Sequence, residues 1–201
     1  MKGIAIAGAK GGVGKTSLAH ALALGAAWKQ IPAYLMHTDD REPIKVNGRP
    51  YAYYDARKPE TLEALINAAL NNDGLCIIDS GGNRPDFDKW IAKSMDLVIV
   101  PFIPDQEAVE TNLAHMKKLE EAGGNVRALI NAYPSNRFER EHIAQYLAPI
   151  PEDKILGYVD ECKAIRTLRT NDAPSFKTPV SKVNNLARKL YFTVKEELEV
   201  E

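Results

Sequence analysis

Apolar residues in this chain follow two rhythms. Short runs such as Ile4-Ala5-Ile6-Ala7, Leu75-Cys76-Ile77-Ile78 and Leu97-Val98-Ile99-Val100 read as strands. Between them, apolar positions return every three or four residues, the spacing of one helix face. The pattern predicts strands near 2–7, 33–37, 75–79, 96–101, 126–131 and 155–158, with a weaker one near 51–55. It predicts helices near 15–29, 60–71, 86–94, 106–122, 137–147, 162–170 and 180–197. Asn72-Asp73-Gly74 and Gly123-Gly124-Asn125 stop two of these helices. Alternating strands and helices predict an α/β fold, a doubly wound and mostly parallel sheet flanked by helices. Such sheets hold ligands beyond the carboxyl ends of their strands, so the segment after each strand carries the functional search.

Composition narrows the class without naming a chemistry. The 201 residues are 45% hydrophobic and 26% charged, which suits a single globular domain spanning 1–201. The net charge of −1 means that any nucleic-acid contact must come from a local patch. Cys76 and Cys162 lie far apart and form no metal-binding pair, which points to a reducing cytoplasm. No apolar run approaches the ~20 residues that a membrane-spanning helix needs. The last predicted helix, 180–197, is amphipathic through Val183, Ala187, Leu190 and Val194, and is expected to dock on the core. Its acidic ending, Lys195-Glu196-Glu197-Leu198-Glu199-Val200-Glu201, would be repelled by anionic lipid, so no membrane role is expected.

Residues 7–17, AGAKGGVGKTS, carry the chemistry. They lie between the first strand and the first helix, the context of a P-loop NTPase phosphate loop. Gly11, Gly12 and Gly14 let the backbone fold tightly, so that N–H groups converge on phosphate at a helix N-terminus. Lys15 would neutralise the β- and γ-phosphates, and the Thr16 hydroxyl would ligate Mg²⁺. Val13 and Ser17 complete the expected nucleotide-binding stretch, and ATP with Mg²⁺ is the expected ligand pair.

A second lysine, Lys10, stands near the start of the loop. Lys10-Gly11-Gly12-Val13-Gly14-Lys15-Thr16 resembles the deviant Walker A box of the ParA/MinD family of ATPases. Ala9 stands where the ordinary phosphate-loop pattern, G-x-x-x-x-G-K-[ST], has glycine. The resemblance implies that Lys10 reaches the phosphates of a partner across a nucleotide-sandwich homodimer. It also implies that Lys10, Lys15 and an aspartate form the hydrolytic set.

In the family that aspartate ends a D-x-D box 24 residues beyond the loop lysine, which lands on Asp39. The first aspartate of the box falls on His37, and Asp40 stands where proline is usual; Asp40 competes for the role by one register step. Asp39 is expected to position the attacking water and to sit by the metal. Leu75-Cys76-Ile77-Ile78-Asp79 has the shape of a Walker B box, whose carboxylate can hold the Mg²⁺ shell. Paired glycines in Ser80-Gly81-Gly82-Asn83 suggest a switch segment. Met95-Asp96-Leu97-Val98-Ile99-Val100-Pro101-Phe102-Ile103-Pro104 resembles the strand that precedes the family's dimer face. Asn131 falls where relatives contact the base.

ParA-like proteins bind DNA nonspecifically through basic residues near the C-terminal helices. From Asp160 to Leu190 this chain has seven basic side chains against three acidic ones. Lys163, Arg166 and Arg169 share a helical spacing, and Lys177 follows, so phosphate contacts without base readout are expected from them. The phosphate loop begins at once, so no N-terminal helix-turn-helix extension is expected. The resemblance therefore implies a nucleoid-associated ATPase that positions or segregates plasmid or other cargo, stimulated by a ParB-like partner.

Two other readings use the same boxes. One is a P-loop metabolic enzyme, a small-molecule kinase or a dethiobiotin-synthetase-like ligase. Its second pocket would come from Arg41, Lys45, Arg49, Tyr51, Tyr53, Tyr54 and Arg57. The other is an ATPase adaptor that recruits a conjugative DNA-processing complex. A nitrogenase-reductase-like role is excluded, because no cysteine pair is placed to hold a cluster.

Overall fold

Among the described residues, seven strands form one sheet in the order β3-β2-β4-β1-β5-β6-β7, with every pairing parallel. They are β1 (Lys2–Ile6), β2 (Ala33–His37), β3 (Ala52–Asp55), β4 (Leu75–Asp79), β5 (Leu97–Phe102), β6 (Val126–Tyr133) and β7 (Ile155–Asp160). The helices are α1 (Lys15–Ala27), α2 (Pro59–Leu70), α3 (Pro85–Ser94), α4 (Gln106–Glu121), α5 (Arg137–Leu147) and α6 (Ser181–Glu197). This computed structural model describes residues 1–44, 48–82, 84–169 and 180–198.

Each strand alternates its side chains between two layers. Ile4, Ile6, Leu35, Ile77 and Ile99 join α1 and α6 in one core, whereas Ala5, Ala7, Ile78, Val98 and Val100 join α3 and α4 in the other. Because helices cover both faces, the strands read as unbroken apolar runs. The expectation of a mostly parallel sheet is thus met by a wholly parallel one, and the weak strand near 51–55 is the edge strand β3 beside β2.

Helix α1 is buried all round, from Ser17 to Ala26, because it lies between the sheet and α6. The two helices cross at Gly25, where a Cβ would overlap the Ala187 carbonyl. Val183, Ala187, Leu190, Tyr191 and Val194 form the inner face of α6.

One expected α-helix takes another form. The segment predicted as helix 162–170 is a 3-10 helix, Lys163–Arg169. A spacing of three fits both helix types, but a 3-10 helix completes a turn in three residues, so Lys163, Arg166 and Arg169 stack along a single edge.

Candidate phosphate-binding site

The central strand β1 ends where the strand order reverses, and the loop of residues 7–14 leaves its carboxyl end. Ala7 prolongs β1 by donating its N–H to the Ile99 carbonyl at 3.0 Å. Gly14 then caps α1 in the left-handed region, φ 99°, with no side chain capping the first turn. The first N–H groups of α1 are therefore left to an anion.

Two asparagines brace this loop from outside. Asn131 Nδ2 donates to the Val13 carbonyl at 2.8 Å and presses so close to Gly14 that a Cβ there would overlap it. Asn112, fully buried on α4, accepts from the Lys10 N–H at 3.0 Å through Oδ1 and donates to the Pro101 carbonyl at 2.7 Å through Nδ2. Sequence reasoning missed Asn112. Its signal was a polar residue among Ala108, Val109, Met116 and Leu119 on the inner stripe of α4.

Lys15 turns back into the loop and donates to the Lys10 carbonyl at 3.2 Å. Burial lowers its pKa, while Asp79 and Asp39 act in the opposite sense. An anion bound beside this partly desolvated ammonium would offset the cost of burying it. Lys10 points elsewhere: its ammonium meets Glu107 Oε1 at 2.6 Å, on the first turn of α4.

The carboxylates come from neighbouring strand tips. Asp79 closes β4 with only 1% of its surface exposed, and neither carboxylate oxygen accepts a hydrogen bond. His37 Nδ1 lies 3.5 Å from Asp79 Oδ2, and His37 Nε2 donates to the Arg41 carbonyl at 2.9 Å. Burial acts against a charged His37, yet the Asp79 carboxylate, the Arg41 carbonyl and Asp39 together raise its pKa. Asp39 is half-buried, takes the Arg41 N–H on Oδ1 at 3.1 Å, and adds to the negative field at Lys15. Asp40 is exposed and faces a separate hollow with Asp55, Arg57 and Thr61.

Asp79 fits a magnesium site on chemical grounds. A buried carboxylate whose nearest donor, His37 Nδ1, stands off at 3.5 Å has oxygens left to take a cation or its water shell. Thr16 at the start of α1 is the second residue that would hold it. Among the described residues no group of three or more His, Cys, Asp or Glu could by itself hold a metal ion. Such an ion would supply charge neutralisation at phosphate oxygens.

Beside the loop opens a cleft of about 430 Å³, lined by Gly12, Gly14, Ser17 and Asn131 on one side and by the 3-10 helix on the other. Lys163, Arg166 and Arg169 all lie on this cleft. The structure thus places them next to the phosphate loop instead of on a remote helix face. Lys177, Asn83 and Lys45 fall outside the described residues. The other members of the basic, aromatic segment are largely committed. Tyr51 is hydrogen-bonded to His20 Nδ1 at 2.7 Å, Arg49 lies over the Tyr53 ring, and Arg57 pairs with Asp55 and Glu42.

Solved structures share this architecture. The septum site-determining protein MinD of Pyrococcus horikoshii OT3, complexed with Mg-ADP, superposes with a TM-score of 0.72 at 18% identity, covering 98% of this chain and 96% of that one. A ParA family ATPase from Chlorobium tepidum TLS gives 0.71 at 13% identity, covering 96% and 98%. A Cyanothece McdA variant in complex with ATP gives 0.67 at 17% identity, covering 100% and 97%. No protein-family model and no curated protein matches the sequence. The structural neighbours are therefore MinD, ParA and McdA ATPases, and what the likeness establishes is the α/β P-loop NTPase fold.

Proposed function

We propose that this chain is a Mg²⁺-dependent ATPase of the ParA/MinD type that positions or partitions a cargo. The observation that carries the reading is Asp79: a buried carboxylate that accepts no hydrogen bond among the described residues, with His37 Nδ1 standing off at 3.5 Å, in the same field as Lys15 and Asp39. Complexes of MinD with Mg-ADP and of McdA with ATP, on the same fold, support the choice of nucleotide.

In this reading the N–H groups of residues 11–16 cradle the phosphates, and Lys15 leaves the Lys10 carbonyl to neutralise them. Asp39 accepts a hydrogen bond from a water and aligns it with the γ-phosphorus. The oxygen–phosphorus bond to ADP breaks as the bond to water forms, and ADP and phosphate leave. Asn131 holds the Val13–Gly14 turn in place and also borders the cleft that would receive ribose and base.

The finer parts of the proposal rest on fewer residues. Lys10 would serve a sandwich homodimer by crossing to the partner's phosphates. Lys163, Arg166 and Arg169, solvent-exposed at the outer rim of the nucleotide cleft, would together with Lys177 hold the backbone of nonspecific DNA. A ParB-like protein would stimulate hydrolysis on the nucleoid of the cytoplasm.

Phosphate release with Mg²⁺, with EDTA, and in the Lys15→Ala variant tests the enzyme. Retention of DNA with ATP, with ADP and without nucleotide tests the output. ATP-dependent retention is expected; retention that ignores nucleotide, or none at all, overturns the DNA assignment.

A further inference from the structure

A groove of about 680 Å³ runs between α2 and α3 across β4, on the face of the sheet away from α1. Its floor includes Cys76, and its walls are Leu62 and Ile66 on one side and Phe87 and Trp90 on the other. The two aromatic rings stack with centroids 5.4 Å apart. One end opens at the amino end of β1, near Gly3 and Asp96. The other reaches the carboxyl tips of β2 and β4, where Thr38, Arg57 and Arg84 line it. Volume and mainly apolar lining are those of a small-molecule site.

The polar groups at the two ends differ in what they have left to offer. Asp96 is occupied by Lys2 Nζ at 3.3 Å and the Gly3 N–H at 2.7 Å. Arg57 is bound by Asp55 and Glu42. Arg84 is not so paired: among the described residues no carboxylate comes within ion-pair distance of it. Its Nη2 donates to Thr38 Oγ1 at 2.9 Å and its guanidinium lies 4.1 Å over the Phe87 ring. Its Nε is buried and has no acceptor among the described residues. A buried guanidinium donor without an acceptor calls for an anion, and a planar carboxylate or a phosphate oxygen suits it.

We propose that the groove is a second ligand site, separate from the phosphate loop, for a monomeric amphipathic anion. Its apolar body lies between Leu62, Ile66, Phe87 and Trp90, and its anionic head takes the free donors of Arg84. The site adjoins the phosphate chemistry without belonging to it. Thr38, in the groove wall, accepts from Arg84 through Oγ1 and donates to the Asp79 carbonyl at 3.0 Å, so one hydrogen bond joins the groove to the β4 tip.

The probe is sodium decanoate below its micellar concentration, read by tryptophan fluorescence. The chain has two tryptophans, so Trp28→Phe leaves Trp90 as sole reporter in the groove wall. Expected is a saturable change in Trp90 emission, with at least tenfold weaker binding of decyltrimethylammonium, which has the same chain and the opposite charge. Arg84→Met in the same background is expected to weaken decanoate at least tenfold. Ile66→Asp, which leaves Arg84 in place and puts a negative charge on the facing wall, is expected to do the same. Circular dichroism checks that each variant is folded, and the comparison of anion with cation on the parent chain decides by itself if neither is. No saturable response, equal binding of both amphiphiles, or a response to phosphatidylglycerol vesicles but not to monomeric decanoate overturns the proposal.

Discussion

The ammonium of Lys10 is held 2.6 Å from Glu107 of its own chain, on the first turn of α4. The Lys10 side chain is 29% exposed and that of Glu107 is 76% exposed, so the pair stands in water and contributes at most about 1 kcal/mol. If Lys10 acts on a partner's phosphates, this contact has to open first. Because each protomer of the dimer must open one such contact, Glu107→Gln is then expected to raise the ATP-dependent dimerisation constant by up to roughly thirtyfold, about fivefold per protomer. Lys10→Ala should abolish dimerisation and hydrolysis while ATP binding persists. Sedimentation with a slowly hydrolysed analogue and phosphate-release assays measure both. Unchanged hydrolysis in Lys10→Ala rules out the sandwich reading.

Asn112 offers a test of how the loop is braced. Asn112→Ala would leave the Lys10 N–H and the Pro101 carbonyl without their partner, at a cost of roughly 2–4 kcal/mol. Urea denaturation should show that loss, and ATP titration should show binding at least tenfold weaker. A variant of parental stability would mean that water replaces both hydrogen bonds.

Asp79→Asn separates metal binding from phosphate binding. Nucleotide affinity in EDTA should stay within a few-fold of the parent. The tightening on Mg²⁺ addition should disappear, and hydrolysis should fall at least a hundredfold. Full Mg²⁺ dependence in Asp79→Asn would move the metal site elsewhere.

The pH response of stability should turn on Asp88 and His115, which face each other with Nδ1 3.9 Å from Oδ2. Burial raises Asp88 from 3.8 to about 6 and lowers His115 from 6.5 to about 4. An ion pair would shift both the other way, so desolvation governs this contact. Asp88 holds its proton more tightly when folded, so acidification from pH 6 towards 3.8 stabilises the fold. His115 resists protonation when folded, so acidification from 6.5 towards 4 destabilises it. In the parent the two trends offset. Relative to the parent at the same pH, Asp88→Asn should therefore lose stability as pH falls from 6 to 4, and His115→Asn should gain it as pH falls from 6.5 to 4, each on the order of 2 kcal/mol. Urea titrations across that range check the signs, and parallel curves for the two variants would refute the assignment.

What the sequence revealed was the part governed by local patterning. The β1–loop–α1 unit was legible because the apolar run, the glycines and Lys15-Thr16 are contiguous and each depends on its neighbours. Asp79 was legible because a strand tip ends its own run. Lys163, Arg166 and Arg169 were seen as a stripe, yet their spacing could not distinguish an α-helix from the 3-10 helix that turns them to the cleft. His37, Asn112 and Glu107 were not assigned roles, because their partners lie 42, 102 and 97 residues away and only the sheet order brings them together. Asn131 was expected at the base; its one direct bond to the loop is a backbone brace.

Order of synthesis gives the burial of α1 a temporal side. The helix that begins with Lys15 leaves the ribosome well before its cover, α6, which begins at Ser181. Until that late segment emerges, Leu18, Leu22 and Ala26 can reach the sheet but lack their second wall. A nascent chain therefore displays the phosphate loop long before it can hold that loop rigid. Competence for nucleotide arrives only when the end of the fold closes over its beginning.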